Sequence, residues 1–118
     1  MRVLVCGGRN YNDAMTLDSW LGSIHKSDGI ELIIHGAARG ADLLAGIFAT
    51  HAGIPVLTFA ADWARLGRKA GSLRNQQMLD EGKPDLVVAF PGGRGTADMV
   101  QRARDAGVRV IEVKIGIQ

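Results

Sequence analysis

An α/β fold with a parallel sheet covered by helices on both faces is what the sequence predicts, on three observations. Five apolar runs are continuous rather than alternating, the habit of parallel strands buried on both faces. Segments with helical spacing separate them, as right-handed βαβ crossovers require. Glycines stand shortly before the next strand, where each helix must end. The expected architecture is a single Rossmann-like doubly wound domain, residues 1–118, with a five-stranded parallel sheet.

The first strand is read at Val3–Cys6. Leu17, Trp20, Leu21 and Ile24 then share one helical face, and Gly29 ends that helix before the second strand, Leu32–His35. Leu43, Leu44, Ile47 and Phe48 form the apolar face of a second helix, closed by Gly53 ahead of a third strand at Pro55–Phe59. A weaker helical pattern runs from Gly71 to Glu81 on Leu73, Met78 and Leu79, with Gly82 and Pro84 as its stop before the fourth strand, Asp85–Phe90. Met99, Val100 and Ala103 mark the last helix, Gly107 its exit, and Arg109–Val113 the fifth strand. The terminal Ile115–Gln118 reads as a frayed tail or a contact with a second subunit.

Composition narrows the function classes. With 47% hydrophobic and 22% charged residues, the chain can bury a core and is not a disordered tract. Lys plus Arg number 14 against 12 Asp plus Glu, so net charge does not by itself point to nucleic acid. No apolar run approaches the roughly 20 residues that span a bilayer, and the N-terminus enters a strand without a signal-peptide pattern. A cytoplasmic protein without membrane contact is expected. Cys6 is the single cysteine, which excludes an intramolecular disulfide, and three scattered histidines offer no metal spacing. No metal and no cofactor is called for. Cys6, inside an apolar run, reads as a small buried hydrophobe.

In an open parallel sheet, ligands bind beyond the carboxyl ends of the strands, near the point where strand order reverses. The loops at that edge are Gly7-Gly8-Arg9-Asn10-Tyr11, Gly36–Asp42 with Arg39 and Gly40, Asp62-Trp63, and Pro91-Gly92-Gly93-Arg94-Gly95-Thr96. Three of the four join glycine to arginine. Glycine lets backbone approach a phosphate, a helix N-terminus favours an anion, and arginine adds bidentate bonds to phosphate oxygens. The same glycines also serve simply to turn the chain. No third glycine completes a dinucleotide fingerprint after Gly7-Gly8, the second strand ends in His35 rather than an acid, and no P-loop motif is present. A standard dehydrogenase and a P-loop ATPase are therefore set aside.

Pro91–Thr96, preceded by Ser72-Leu73-Arg74-Asn75 and Met78, resembles the SLOG superfamily, which joins the LONELY GUY phosphoribohydrolases, the DNA-processing protein Smf/DprA and nucleotide-sensing domains. The YspA-type branch is similar over nearly the whole chain, through Val5–Arg9, His35–Asp42, Ala61–Trp63, Arg74-Asn75 and Ala89–Asp98. The resemblance implies a phosphate grip on Gly92, Gly93, Gly95 and Thr96, a catalytic and substrate-contacting role for Arg74, and a homodimer. It also exposes a departure, because Met99 stands where the phosphoribohydrolases carry their catalytic glutamate. Glycosidic cleavage needs a carboxylate to stabilise a cationic sugar and activate water, which methionine cannot do. Asp98 is one residue earlier, a turn of about 100 degrees on a helix. It is either a substitute carboxylate or an acid favoured by the helix dipole.

Several residues carry two readings that stay open at this point. Asp42 binds a ribose hydroxyl or caps the second helix. Trp63 stacks on a base or packs in the core, and His35 is an acid or base or a buried donor, with the structural reading favoured for both. Arg65, Arg68 and Lys69 read mainly as solvated charge. The functional expectation is binding or sensing of a phosphorylated nucleotide or nucleotide derivative, ADP-ribose-like, NAD-derived or a nucleoside phosphate. The alternative is an N-glycosidic nucleotide hydrolase acting through Arg74, with Asp98 or else Asp42 as the carboxylate. Single-stranded nucleic-acid binding ranks last, because aromatics make up only 5% of the chain and such sites stack bases on several of them.

Overall fold

The computed structural model describes residues 1–114, so the expectation for the terminal Ile115–Gln118 lies outside the described residues. Strands β1 (Arg2–Cys6), β2 (Leu32–His35), β3 (Val56–Thr58), β4 (Leu86–Ala89) and β5 (Arg109–Glu112) form one parallel sheet in the order β3-β2-β1-β4-β5. Helices α1 (Ala14–Asp28), α2 (Ala41–Ala52), α4 (Ala70–Gly82) and α5 (Arg94–Asp105) fill the crossovers. A short helix α3 (Trp63–Leu66) and a 3-10 turn (Gly67–Lys69), neither expected from the sequence, precede α4.

One core layer packs α1 and α2 against Val3, Val5, Ile33 and Val88, and the other packs α4 and α5 against Leu4, Ile34, Val87 and Ala89. Alternate residues of the same strands therefore serve opposite layers, which is why these runs are continuously apolar. The fold class is as expected. Full burial of Leu17 and Leu21 contributes roughly 1.5–3 kcal/mol each.

Three expectations about the elements need correction. Leu43 and Ile47 are not the inward face of α2, since they are 57% and 46% exposed while Ala41, Ala45 and Ala49 are fully buried. The alanine row lets the helix approach the sheet closely, and the larger side chains are turned to its flanks and outside. Trp20 and Leu73 are likewise exposed. Strands β3 and β5, at the two edges, are only partly covered and shorter than the runs suggested. Gly29, Gly53 and Gly107 do take positive φ at helix exits, but after α4 that role falls to Lys83 at φ 49°. Gly82 is helical instead, and a Cβ there would press on Ile34 at 3.2 Å.

Candidate functional site

Strand order reverses between β1 and β4, the two central strands whose following chain segments turn to opposite sides of the sheet. Three loops lock together there. The Gly8 amide donates to the Pro91 carbonyl at 2.9 Å, and the Ala41 amide donates to the Gly8 carbonyl at 3.2 Å. A Cβ on Gly7 would lie 2.6 Å from that of Ala41, and one on Gly92 would lie 2.6 Å from the Gly8 nitrogen and collide with Thr96 Oγ1. A Cβ on Gly40, which has φ 75°, would collide with the Gly8 carbonyl oxygen and lie 2.7 Å from the Arg9 carbonyl carbon. At these glycines the loops approach too closely to admit a Cβ.

Beside this knot opens a cavity of about 660 Å³. It holds twelve of the residues singled out by sequence: Gly7, Gly8, Arg9, Asp42, Trp63, Arg74, Asn75, Gly93, Arg94, Gly95, Thr96 and Asp98. Gly36 and Arg39 line a smaller lobe of about 300 Å³ with Arg9, Trp63 and Arg74. Pro91 and Gly92 face a cavity on the other side of the knot, with Tyr11 and Asp13. Gly40 lines none of these, being consumed by the contact between loops. The sequence reading passed over Arg68, Gly71 and Ser72 as wall residues. Arg68 was hidden in a basic stretch; Arg65 beside it pairs with Asp62 on the surface at 3.1 Å, as a solvated charge does.

The wall formed by α5 is open. Gly93 is its N-cap with no side-chain cap, so the first-turn amides of Arg94, Gly95 and Thr96 have no intrahelical acceptor. A Cβ on Gly93 or Gly95 would meet nothing within 4 Å. Helix α2 also starts at a glycine without a side-chain cap, yet its end is stoppered by the Gly8 and Arg9 backbone.

Arg74 is held in place by three bonds. Its Nη1 donates to the Gly36 carbonyl and, at 3.3 Å, to the Phe59 carbonyl, while Nε donates to Asn75 Oδ1 at 3.1 Å. Nη2 makes no bond within the described residues. Buried Asn75 completes the bridge by donating through Nδ2 to Asp98 Oδ2 at 2.9 Å and the Gly95 carbonyl at 3.2 Å. Asp98 Oδ2 also accepts from Arg102 Nε at 2.9 Å, an i,i+4 ion pair. Asp98 thus lies past the first turn of α5, and its partners are these side chains rather than the helix end. Met99 is fully buried among Leu4, Met78 and Val87 and points away from the cavity.

Asp42 neither caps α2 nor stays free. Its Oδ2 accepts from the amides of Gly36 at 3.1 Å and Ala38 at 3.3 Å, fastening the preceding loop. Burial pushes its carboxyl above the ordinary carboxylate value, against the Ala38 bond and the charge of Arg74. Burial also lowers the pKa of Arg74, opposed by Asp42, and raises that of Cys6 at the cavity floor, which stays a thiol. His35 is a buried acceptor: its Nδ1 takes the Ala37 amide at 3.0 Å, and burial, then Arg74, depress its pKa. Trp63 is 48% exposed and so is not a core residue, but its ring lies close enough to Gly71 that a Cβ there would be 3.2 Å from it, and the Arg9 guanidinium is 5.3 Å from the ring centroid.

Among the described residues no group of His, Cys, Asp and Glu could hold a metal ion, and no helix is long and apolar enough to cross a membrane. Comparison with known proteins gives two findings. A family model described as the YspA, cpYpsA-related SLOG family matches residues 1–66. The Gene 61 protein of Mycobacterium phage D29 is 39% identical over 118 residues, covering 93% of this chain and 94% of that protein. A match over more than half the chain, joined to a relative aligned almost end to end, means that the chain belongs to the YspA, cpYpsA-related SLOG family.

Proposed function

We propose that residues 1–118 are one nucleotide-binding domain that takes a phosphorylated nucleotide or nucleotide derivative at the carboxyl edge of the sheet. The observation that carries this is the uncapped start of α5, whose free amides border a cavity also lined by Arg9, Arg68, Arg74 and Arg94. Of the two acids in that cavity, Asp98 is paired with Arg102 and Asp42 with backbone amides. The surplus is cationic, so the complementary ligand is an anion, and Trp63 offers a flat apolar surface for a base. Family membership supports a nucleotide in particular.

Hydrolysis of the glycosidic bond is the second reading, favoured by the presence of Asp98 in the same cavity as Arg74. Against it, Asp98 Oδ2 is already taken by two donors and Met99 faces the core. A thermal-shift screen against nucleoside monophosphates, ADP-ribose, NAD and cyclic nucleotides, followed by chromatography of each mixture, separates the two. A ligand of the folded state raises the melting temperature by mass action. Stabilisation without released base is the expected result. Base release that collapses in Asp98→Asn and Arg74→Ala establishes the hydrolase, and no stabilisation by any member removes the nucleotide-binding reading.

A further inference from the structure

The lobe of about 300 Å³ beside the main cavity has its own electrostatic character. It opens between the loops that follow β2 and β3, and the charged side chains on its wall are Arg9, Arg39 and Arg74, with no carboxylate. Neither Arg9 nor Arg39 has a carboxylate within ion-pair distance among the described residues. Asp42 lines the main cavity rather than the lobe and accepts from the Gly36 and Ala38 amides. One carboxylate, Asp42, offsets three guanidinium groups only in part, so the lobe keeps a net cationic wall, and a bound anion relieves the repulsion that remains.

The lobe is distinct from the anion position at α5, since no residue of α5 lines it, yet it borders the main cavity, with which it shares Arg9, Ala38, Trp63 and Arg74 as wall. Its volume stands at the lower bound for ligand cavities and is less than half that of its neighbour, and its three arginines suit a compact anion better than a second nucleoside. A phosphoryl group is such an anion. Resting on the nucleotide-binding reading above, the geometry points to a ligand with two phosphoryl groups. One is received by the α5 amides and the other by Arg9, Arg39 and Arg74, with the base against Trp63. A nucleoside 5′-diphosphate and a nucleoside 3′,5′-bisphosphate share this chemistry.

The test is titration calorimetry with base-matched sets of 5′-monophosphates, 5′-diphosphates and 3′,5′-bisphosphates of adenosine, guanosine, cytidine and uridine, plus a single-stranded oligonucleotide of mixed sequence. For the preferred base, a second phosphoryl group is expected to tighten binding at least tenfold, in line with one further charge-assisted contact. Arg39→Gln is expected to weaken the two-phosphate ligand at least five times more than the monophosphate. This exposed residue has no bond to lose, and an unchanged melting temperature verifies the fold. The better of the two ligand types shows where the second group attaches. A gain below threefold, or a gain that survives Arg39→Gln, overturns this inference and leaves the nucleotide site standing. An oligonucleotide that binds more tightly than every mononucleotide also overturns it, and absence of all nucleotide binding removes both readings.

Discussion

Helices α2 and α5 begin in the same way in sequence, with glycine and arginine between a strand and a helix, and at the same edge of one sheet, yet they do opposite things. At α2 the glycine is spent on packing: Gly40 takes a positive φ where a Cβ would strike the Gly8 carbonyl, and the Gly8 carbonyl accepts from the Ala41 amide at the helix end. At α5 the glycines have space, and the first-turn amides border a cavity. A glycine-rich turn is therefore two different devices, distinguished by what lies against the missing Cβ rather than by the motif.

Four predictions break or sharpen that contrast. The largest effect lies on the inner side of α5. Met99→Glu restores the carboxylate of the phosphoribohydrolases in sequence but buries an unpaired charge, so chemical denaturation should show a loss of about 3–5 kcal/mol and no gain of hydrolysis. Unchanged stability would mean that this face of α5 is open. Next is Gly40→Ala, which should cost about 3 kcal/mol in a urea titration, from backbone strain and overlap with Gly8. If it is tolerated, the α2 start is not closed as described.

Gly95→Ala should have the opposite sign. It sits in a helix with open space around it, so stability rises by about 0.5–1 kcal/mol while nucleotide affinity falls about tenfold through the methyl group on the cavity wall. Equal affinity in calorimetry would detach Gly95 from the ligand. The smallest effect concerns the loop leading to α2. The folded pKa of His35 is depressed, so the unfolded chain binds the proton first, and stability declines as pH falls below about 6.5. His35→Asn, which retains an acceptor for the Ala37 amide, should flatten that decline between about pH 7 and 5.5. The raised pKa of Asp42 works in the other direction, with stability lost as pH rises from about 3.8 through the folded value, and it remains in both proteins. A slope identical in the two would exclude His35 as its source.

Much of the fold was legible because buried parallel strands leave continuous apolar runs that little else produces. The edges were less so, as a run such as Pro55–Phe59 does not say that it has a neighbour on one side only. Helix faces failed where small residues did the packing: the row Ala41, Ala45 and Ala49 carries little weight beside Leu43 and Ile47, yet close approach to a sheet favours it. At the candidate site, motif residues fell around one cavity because strand ends fix loop positions. What sequence could not supply were pairings across the sheet edge, such as Arg74 with Gly36, or Asn75 joining α4 to α5, which depend on distances that residue types do not encode. Arg68 was passed over because nothing in a basic stretch tells which member turns inward.

The Arg9 guanidinium over the Trp63 ring has a practical consequence. Indole emission responds to whatever lies above the ring, and the chain holds only two tryptophans. The other, Trp20, lies on α1, which contributes no residue to the main cavity. A Trp20→Phe protein therefore has a single tryptophan, at the cavity wall, and on the proposed function its spectrum should report a base that replaces or joins the guanidinium, without label or dye.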